Sequence, residues 1–322
     1  MPRTVFSCDR LCGWLAIASM AVCLSAPSIV HAQSRVTSDD SQELEDTPVL
    51  TEEPDADAPP SPSGWGYQGD LSFRIIPLGL SLSSHAGYRQ KLFNSQSVLF
   101  KDAYVEAGVR SIISPAMAWT GGYVQASPIA LLDLKLSATY NYYYGTFGML
   151  YVSKDQQDPE WSLDDISASD AAGAGLSGTG YVVEAQATPK VRIGDIVAFC
   201  PLTWSYINTN VDGAYYEPWY DYLFAPEDTL FMAQPTVGLI PYTGDDGSFL
   251  MTAFRWEHAT TQETGLERDM VSFLTLWGLP KSWIATGNPR LAVLAGYWVR
   301  HPEDRDGALF LGTNFSMTFG AY

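Results

Sequence analysis

Cysteine is almost missing from the body of this chain. Four occur in 322 residues, and Cys8, Cys12 and Cys23 all fall near the N-terminus, which leaves Cys200 alone downstream. A lone thiol forms neither an intramolecular disulfide nor a cysteine metal cluster. Basic residues are scarce too: 18 Lys and Arg stand against 36 Asp and Glu, a net charge of −18, the wrong sign for a nucleic-acid surface. Beyond residue 32 the only histidines are His85, His258 and His301. No His-x-x-x-His pair and no glycine-rich loop after a strand offers a zinc or phosphate site. No cofactor and no metal are therefore expected. Past the N-terminus no run is apolar enough for a transmembrane helix, and no stretch keeps a helical period for more than a turn or two.

What is present begins with a secretory pattern. Arg3 and Arg10 precede the apolar run from Cys12 to Leu24, and Val30-His31-Ala32 provides compact residues for cleavage, so residues 1–32 read as a signal peptide. Residues 33–64 change character abruptly. Nine acids (Asp39, Asp40, Glu43, Glu45, Asp46, Glu52, Glu53, Asp55, Asp57) face one base, Arg35, and prolines stand at 48, 54, 59, 60 and 62. Such a segment buries too little apolar surface to offset its ordering entropy. It is expected to be a disordered, solvated periplasmic leader.

From residue 65 to 322 the chain alternates with period two, the signature of strands. In the last segment Leu309, Leu311, Thr313, Phe315, Met317, Phe319 and Ala321 share one face, with Gly312, Asn314, Ser316 and Thr318 on the other. The same split recurs at 132–144, 181–193 and 291–299. Each is close to the roughly 9 to 11 residues a tilted strand needs to cross a bilayer. Counting gives ten strands: 77–91, 104–119, 131–145, 180–193, 196–208, 229–242, 248–260, 268–283, 290–301 and 308–322. Pro77 and Pro115 interrupt the first two, and 117–127 has room for another piece, so twelve is the alternative count.

The links alternate as well. Short ones at 126–129, 194–195, 244–247 and 286–289 interleave with longer polar ones at 92–103, 146–179, 209–228, 261–267 and 302–307. Trp and Tyr gather near strand ends, for example Tyr140, Tyr142, Trp204, Tyr206, Trp256 and Tyr297. A soluble antiparallel barrel or sandwich would also alternate, but with its polar face to water. Amphipathic rings at both ends of an apolar band instead make the interfacial girdle of a membrane barrel.

With these features the sequence resembles the broad class of Gram-negative outer-membrane β-barrel proteins. The likeness covers the signal, the strand repeat, the loop alternation and the C-terminal strand Phe315-Ser-Met-Thr-Phe-Gly-Ala-Tyr322. It implies an outer-membrane location, contact with lipid and lipopolysaccharide, and recognition of the terminal aromatic by the barrel-assembly machinery. Tyr322 supplies that terminus, one position out of step with Phe315, Met317 and Phe319.

Projected onto a barrel, the alternation turns Glu106, Arg110, Asp133, Lys135, Glu184, Lys190, Arg192, Arg255, Glu257, Arg290 and Arg300 toward the lumen. Two readings stand open: a charged pore for small solutes, or a narrow lumen whose mixed charges neutralise one another. The narrowness of ten strands weighs toward the second. The function is then either a small-solute channel or a surface structural or binding barrel. A rim hydrolase or lipid-modifying enzyme is the alternative from a different class. It would draw on His258 and His301 at the outer strand ends, if the fold brought them together.

The acids between Asp155 and Asp170 lack calcium-loop spacing and read as a solvated loop. Tyr215-Tyr-Glu-Pro-Trp-Tyr-Asp-Tyr-Leu-Phe224 is unusually aromatic. Its plainer reading is a loop lying on the girdle at the lipopolysaccharide headgroups. The alternative is that Tyr215, Tyr216, Trp219, Tyr220, Tyr222 and Phe224 fold inward or touch a ligand.

Overall fold

A computed structural model describes residues 63–75, 78–146, 168, 177–280, 282–284, 287–302 and 305–321. The signal peptide, the acidic leader through residue 62, the acids at 155–165 and 170, and Tyr322 lie outside the described residues, while Gly64, expected to end the leader, already opens the first strand. The elements bounded within the described residues are strands. They run β1 (Gly64–Ile75), β2 (Gly79–Lys91), β3 (Tyr104–Ile113), β4 (Met117–Ile129), β5 (Leu132–Tyr143), β6 (Gly178–Ile193), β7 (Ile196–Phe199) and β8 (Leu202–Thr209). Then come β9 (Tyr215–Glu217), β10 (Tyr222–Phe224), β11 (Glu227–Ala233), β12 (Thr236–Thr243), β13 (Phe249–Thr261), β14 (Glu267–Gly278), β15 (Asn288–Arg300) and β16 (Leu309–Gly320).

All but β9 and β10 belong to one antiparallel sheet that closes on itself, with β1 zipped to β16 from Gly66↔Gly320 to Ile75↔Leu311. β7 and β8 form one wall strand interrupted at Cys200-Pro201, and β11 and β12 another interrupted at Gln234-Pro235. The ring therefore has twelve walls, the higher of the two counts read from the sequence. Proline has no N–H for the ladder, so both breaks fall where the chemistry requires. The neighbouring backbone still pairs: Gln234 N–H donates to Pro201 O and Trp256 N–H to Pro235 O, each at 3.0 Å.

The two walls beyond ten come from β1 and from a split at Pro115. The segment 104–119 is not one strand. Ser114 Oγ accepts from the Ala116 and Met117 amides at 3.1 Å and turns the chain back. Adding β1 also reverses the end at which 92–103 lies. It sits at the same end as Ser63 and Ala321, where Leu99 O accepts from Ala130 N at 2.9 Å and Ser63 Oγ from Lys91 N at 3.0 Å. The clean rule of short turns at one end and long loops at the other thus fails at 92–103. The tight turn at 194–195 matches its sequence: Gly194 has φ +58°, as a two-residue hairpin with glycine first requires.

The wall is inverted relative to a soluble protein. Large apolar side chains face outward, with Leu309 69%, Val109 63% and Phe254 58% exposed, while Glu106 at 1% and Arg110 at 4% are buried inside. This rules out the soluble barrel, whose apolar face would look inward. Inside, the β13–β16 side is lined by an apolar cluster that includes Met251, Leu274, Leu294 and Phe310. The β1–β8 side buries charged groups, Asp70, Arg89, Glu106 and Arg110, and beside them an apolar cluster that includes Ile112, Trp119, Tyr143 and Ile207. Gly87 and Gly108 sit directly opposite each other, and a Cβ on Gly108 would lie 2.3 Å from Ala86 O and 2.9 Å from Tyr123 Oη. That bare patch lets Tyr123 lean across and donate to Glu106 at 2.6 Å.

Candidate functional site: a hairpin inside the lumen

The aromatic loop folds inward. β9 and β10 pair from Tyr215↔Phe224 to Glu217↔Tyr222, and Tyr215, Glu217, Tyr222 and Phe224 are fully buried. The plainer expectation, a loop lying on the outer girdle, is corrected. The local sequence explains the turn. Pro218 presets one φ, and Asp221 takes φ +53°, the left-handed conformation that Asp tolerates better than most residues. Tyr220 N–H donates to Glu217 Oε2 and Tyr216 Oη to Asp221 Oδ1, both at 2.7 Å, so the turn is tied at both corners.

Tilted ring contacts seat it against the wall. Trp119 meets Trp219 at 5.3 Å and Tyr220 at 5.9 Å between centroids. Its polar tip is held by cations from three directions. Arg305 donates two bonds of 2.9 Å to the Asp221 carboxylate. Arg268 donates to the carbonyls of Tyr220 at 2.5 Å and Asp221 at 3.1 Å, and to Glu257 at 2.6 Å. Arg74 reaches Pro218 O at 3.3 Å. The Asp221 carboxylate and the carbonyls of Pro218, Tyr220 and Asp221 thus find partners, as burial demands.

The electrostatics of the loop follow from this packing. Burial alone would raise the Asp221 carboxyl, but Arg305, the His301 hydrogen bond and Arg74 outweigh it and hold it well below the usual carboxylate range. Glu217 has no such cation in contact. Burial pushes its carboxyl up to about 8, against the opposing hydrogen bonds from Tyr220 and Tyr143. His301, in the loop after β15, is pushed down to about 4 by burial despite Asp221 beside it.

Beneath the tip lies a cavity of about 180 Å³. Several charges expected in the lumen meet there or close by. Glu106 pairs with Arg89 at 2.9 Å, Arg110 with Glu184 at 3.5 Å, and Arg255 with Glu257 at 3.0 Å, while Lys135 lines the cavity. Asp133 and Lys190 pair at 2.6 Å near the terminal end. Arg290 lies near enough to Asp70 to act on it electrostatically. Arg192 is exposed at the turn and donates to Gly194 O at 2.9 Å.

Arg300 departs from the expectation. The β14–β15 register shifts between Asp269 and Met270, a bulge that swings Arg300 outward. It lies half exposed, paired with Glu267 and with Asp269. Nor do the two histidines meet. His258 faces outward and bonds Asp269 at 2.8 Å, whereas the His301 side chain is buried 3.7 Å from Asp221. Arg74, Arg268 and Arg305 were missed as site residues. For Arg74 the signal existed, because Gln68, Asp70, Ser72 and Arg74 alternate with Tyr67, Leu71, Phe73 and Ile75.

A closed ring satisfies its ladder hydrogen bonds internally and turns an apolar band outward, which is how strands cross a bilayer. The chain is a transmembrane β-barrel.

No protein-family model matches the sequence, and no curated protein sequence matches it. Among solved structures it is similar to the beta domain of the Bordetella autotransporter Brka (10% identity, TM-score 0.43, 80% of this chain and 99% of that one). It is also similar to LpxR from Salmonella typhimurium (9%, 0.39, 79% and 100%) and to KdgM porin (5%, 0.36, 79% and 98%). Likeness this loose is to the barrel outline, and none of these proteins' functions transfers with it.

Proposed function

We propose that this barrel is a small-solute channel held shut by its own hairpin. One observation carries the reading: the 215–224 hairpin is seated inside the lumen on cation contacts from the wall and the rim, Arg74, Arg268 and Arg305, rather than on apolar packing alone. A purely structural barrel needs only neutralised charges inside. Here a separate element fills the section, and its polar tip is tied by contacts that can be exchanged for water. Closure by an inserted loop is a two-state element of the kind gating requires.

The reading predicts that the full chain in planar bilayers is silent or opens rarely. Replacing Tyr215–Phe224 with a short Gly-Ser link should give discrete conductance steps. Steady conductance with the hairpin cross-linked in place would refute closure. Silence after its removal would favour a structural or binding barrel. A rim hydrolase using His258 and His301 together has no geometry behind it, since the two face opposite sides of the wall.

A further inference from the structure

We infer that the cavity beneath the hairpin binds one small, uncharged polyhydroxy solute of about monosaccharide size; this rests on the plug-gated reading and names its solute class. Size comes first. A cavity of about 150 Å³ takes one benzene, so about 180 Å³ is room for a single substituted six-membered ring.

Charge comes second. Cations and carboxylates line the cavity in equal number, five each. Several are already joined across it: Arg89 to Glu106 at 2.9 Å, Arg268 to Glu257 at 2.6 Å and Arg110 to Glu184 at 3.5 Å. A bound ion would have to split a buried pair and strand the partner, which is costly. A neutral solute leaves every pair intact.

Functional-group chemistry comes third. The lining holds five carboxamides, Gln68, Gln125, Gln186, Gln234 and Asn314. Each offers a donor and an acceptor without charge, which is what a ring of hydroxyls needs. Wall contacts take an amide nitrogen from some of them, such as Asn314 to Ser72 at 2.7 Å and Gln234 to Glu257 at 2.9 Å, leaving the carbonyl oxygens as acceptors. Gln186 stands opposite Thr203, and both line the cavity. Trp219 and Tyr220 form the roof on the hairpin side. The indole N–H of Trp298, a lining residue only 2% exposed, has no partner among the described residues. Aromatic faces beside a few convergent polar groups are how a pocket fixes a small ring.

The test is isothermal titration of the full chain in a detergent without sugar headgroups, using glucose, galactose, glycine and inorganic phosphate as separate probes. At least one hexose should bind saturably, while glycine and phosphate should not. Gln186→Met and Gln125→Met keep side-chain size and remove the hydrogen bonds. Each should weaken the hexose at least tenfold, with folding checked by heat-modifiable gel mobility. If one variant fails to fold, the other carries the test. Absence of hexose binding, preference for glycine or phosphate, or full affinity in the folded variants would each overturn the proposal. A barrel that conducts once the hairpin is removed yet binds no hexose keeps the gate and loses the site. Hexose binding by a barrel that stays silent does the reverse.

Discussion

Glu217 is the most informative single position in the hairpin. Its carboxyl is fully buried, takes the Tyr220 N–H at 2.7 Å on one oxygen and lies 3.1 Å from Tyr143 Oη on the other. Burial raises it to about 8, against an ordinary value of 4.5, so at pH 7 the seated hairpin keeps a proton that a released one gives up. The sign follows from linkage. A raised pKa contributes stability that is complete below 4.5 and is lost as pH climbs to 8. At pH 7 the cost is about 2.5 pKa units, or about 3 kcal/mol.

Glu217→Gln presents the protonated form permanently. Its amide oxygen accepts from Tyr220 and its NH₂ donates to Tyr143. Seating should strengthen by about 3 kcal/mol at pH 7, by nearly nothing at pH 4.5, and by about 5 kcal/mol at pH 8 and above. In single-channel recordings, openings of the unmodified barrel should rise about fourfold per pH unit between 6.5 and 8, and those of the variant should not rise. A variant that keeps the same slope over that window would show that Glu217 is not the group holding the proton, and the argument would fall.

Three further outcomes follow from the same contacts. Arg305→Ala removes the two-bonded partner of a buried Asp221; stranding that carboxylate should weaken seating by about 3 to 5 kcal/mol, seen as frequent openings at pH 7. Arg300→Ala, on the outer rim, should leave conductance unchanged in the same recordings. His301, held down to about 4, acts opposite to Glu217: as pH falls from 6.5 to 4, a released hairpin frees it to take a proton that the seated form refuses, weakening seating by about 3 kcal/mol. The two slopes nearly cancel between 6.5 and 4.5. His301→Gln should therefore expose a steady decline in openings with acid across that window, and a flat profile in this variant would refute the assignment.

Much of the wall was legible from residue order alone, because the direction of a side chain in a strand depends only on its place in the pleat. Tyr181, Val183 and Ala185 had to oppose Val182, Glu184 and Gln186 wherever that strand came to lie. The acid excess, the single downstream cysteine and the aromatic strand ends likewise needed no coordinates to interpret. Three things were settled only by tertiary structure. One of the two added walls, β1, closes the ring by pairing with β16, a contact between segments more than two hundred residues apart, and no local pattern encodes a partner. Arg300 left the lumen because a one-residue bulge reverses facing, and a bulge depends on the register of two strands. The aromatic loop went inward because Arg74, Arg268 and Arg305, from β1, β14 and the loop after β15, converge on one turn. Its residues would suit a lipid girdle equally well, and the choice was made by cations that only the closed ring brings together.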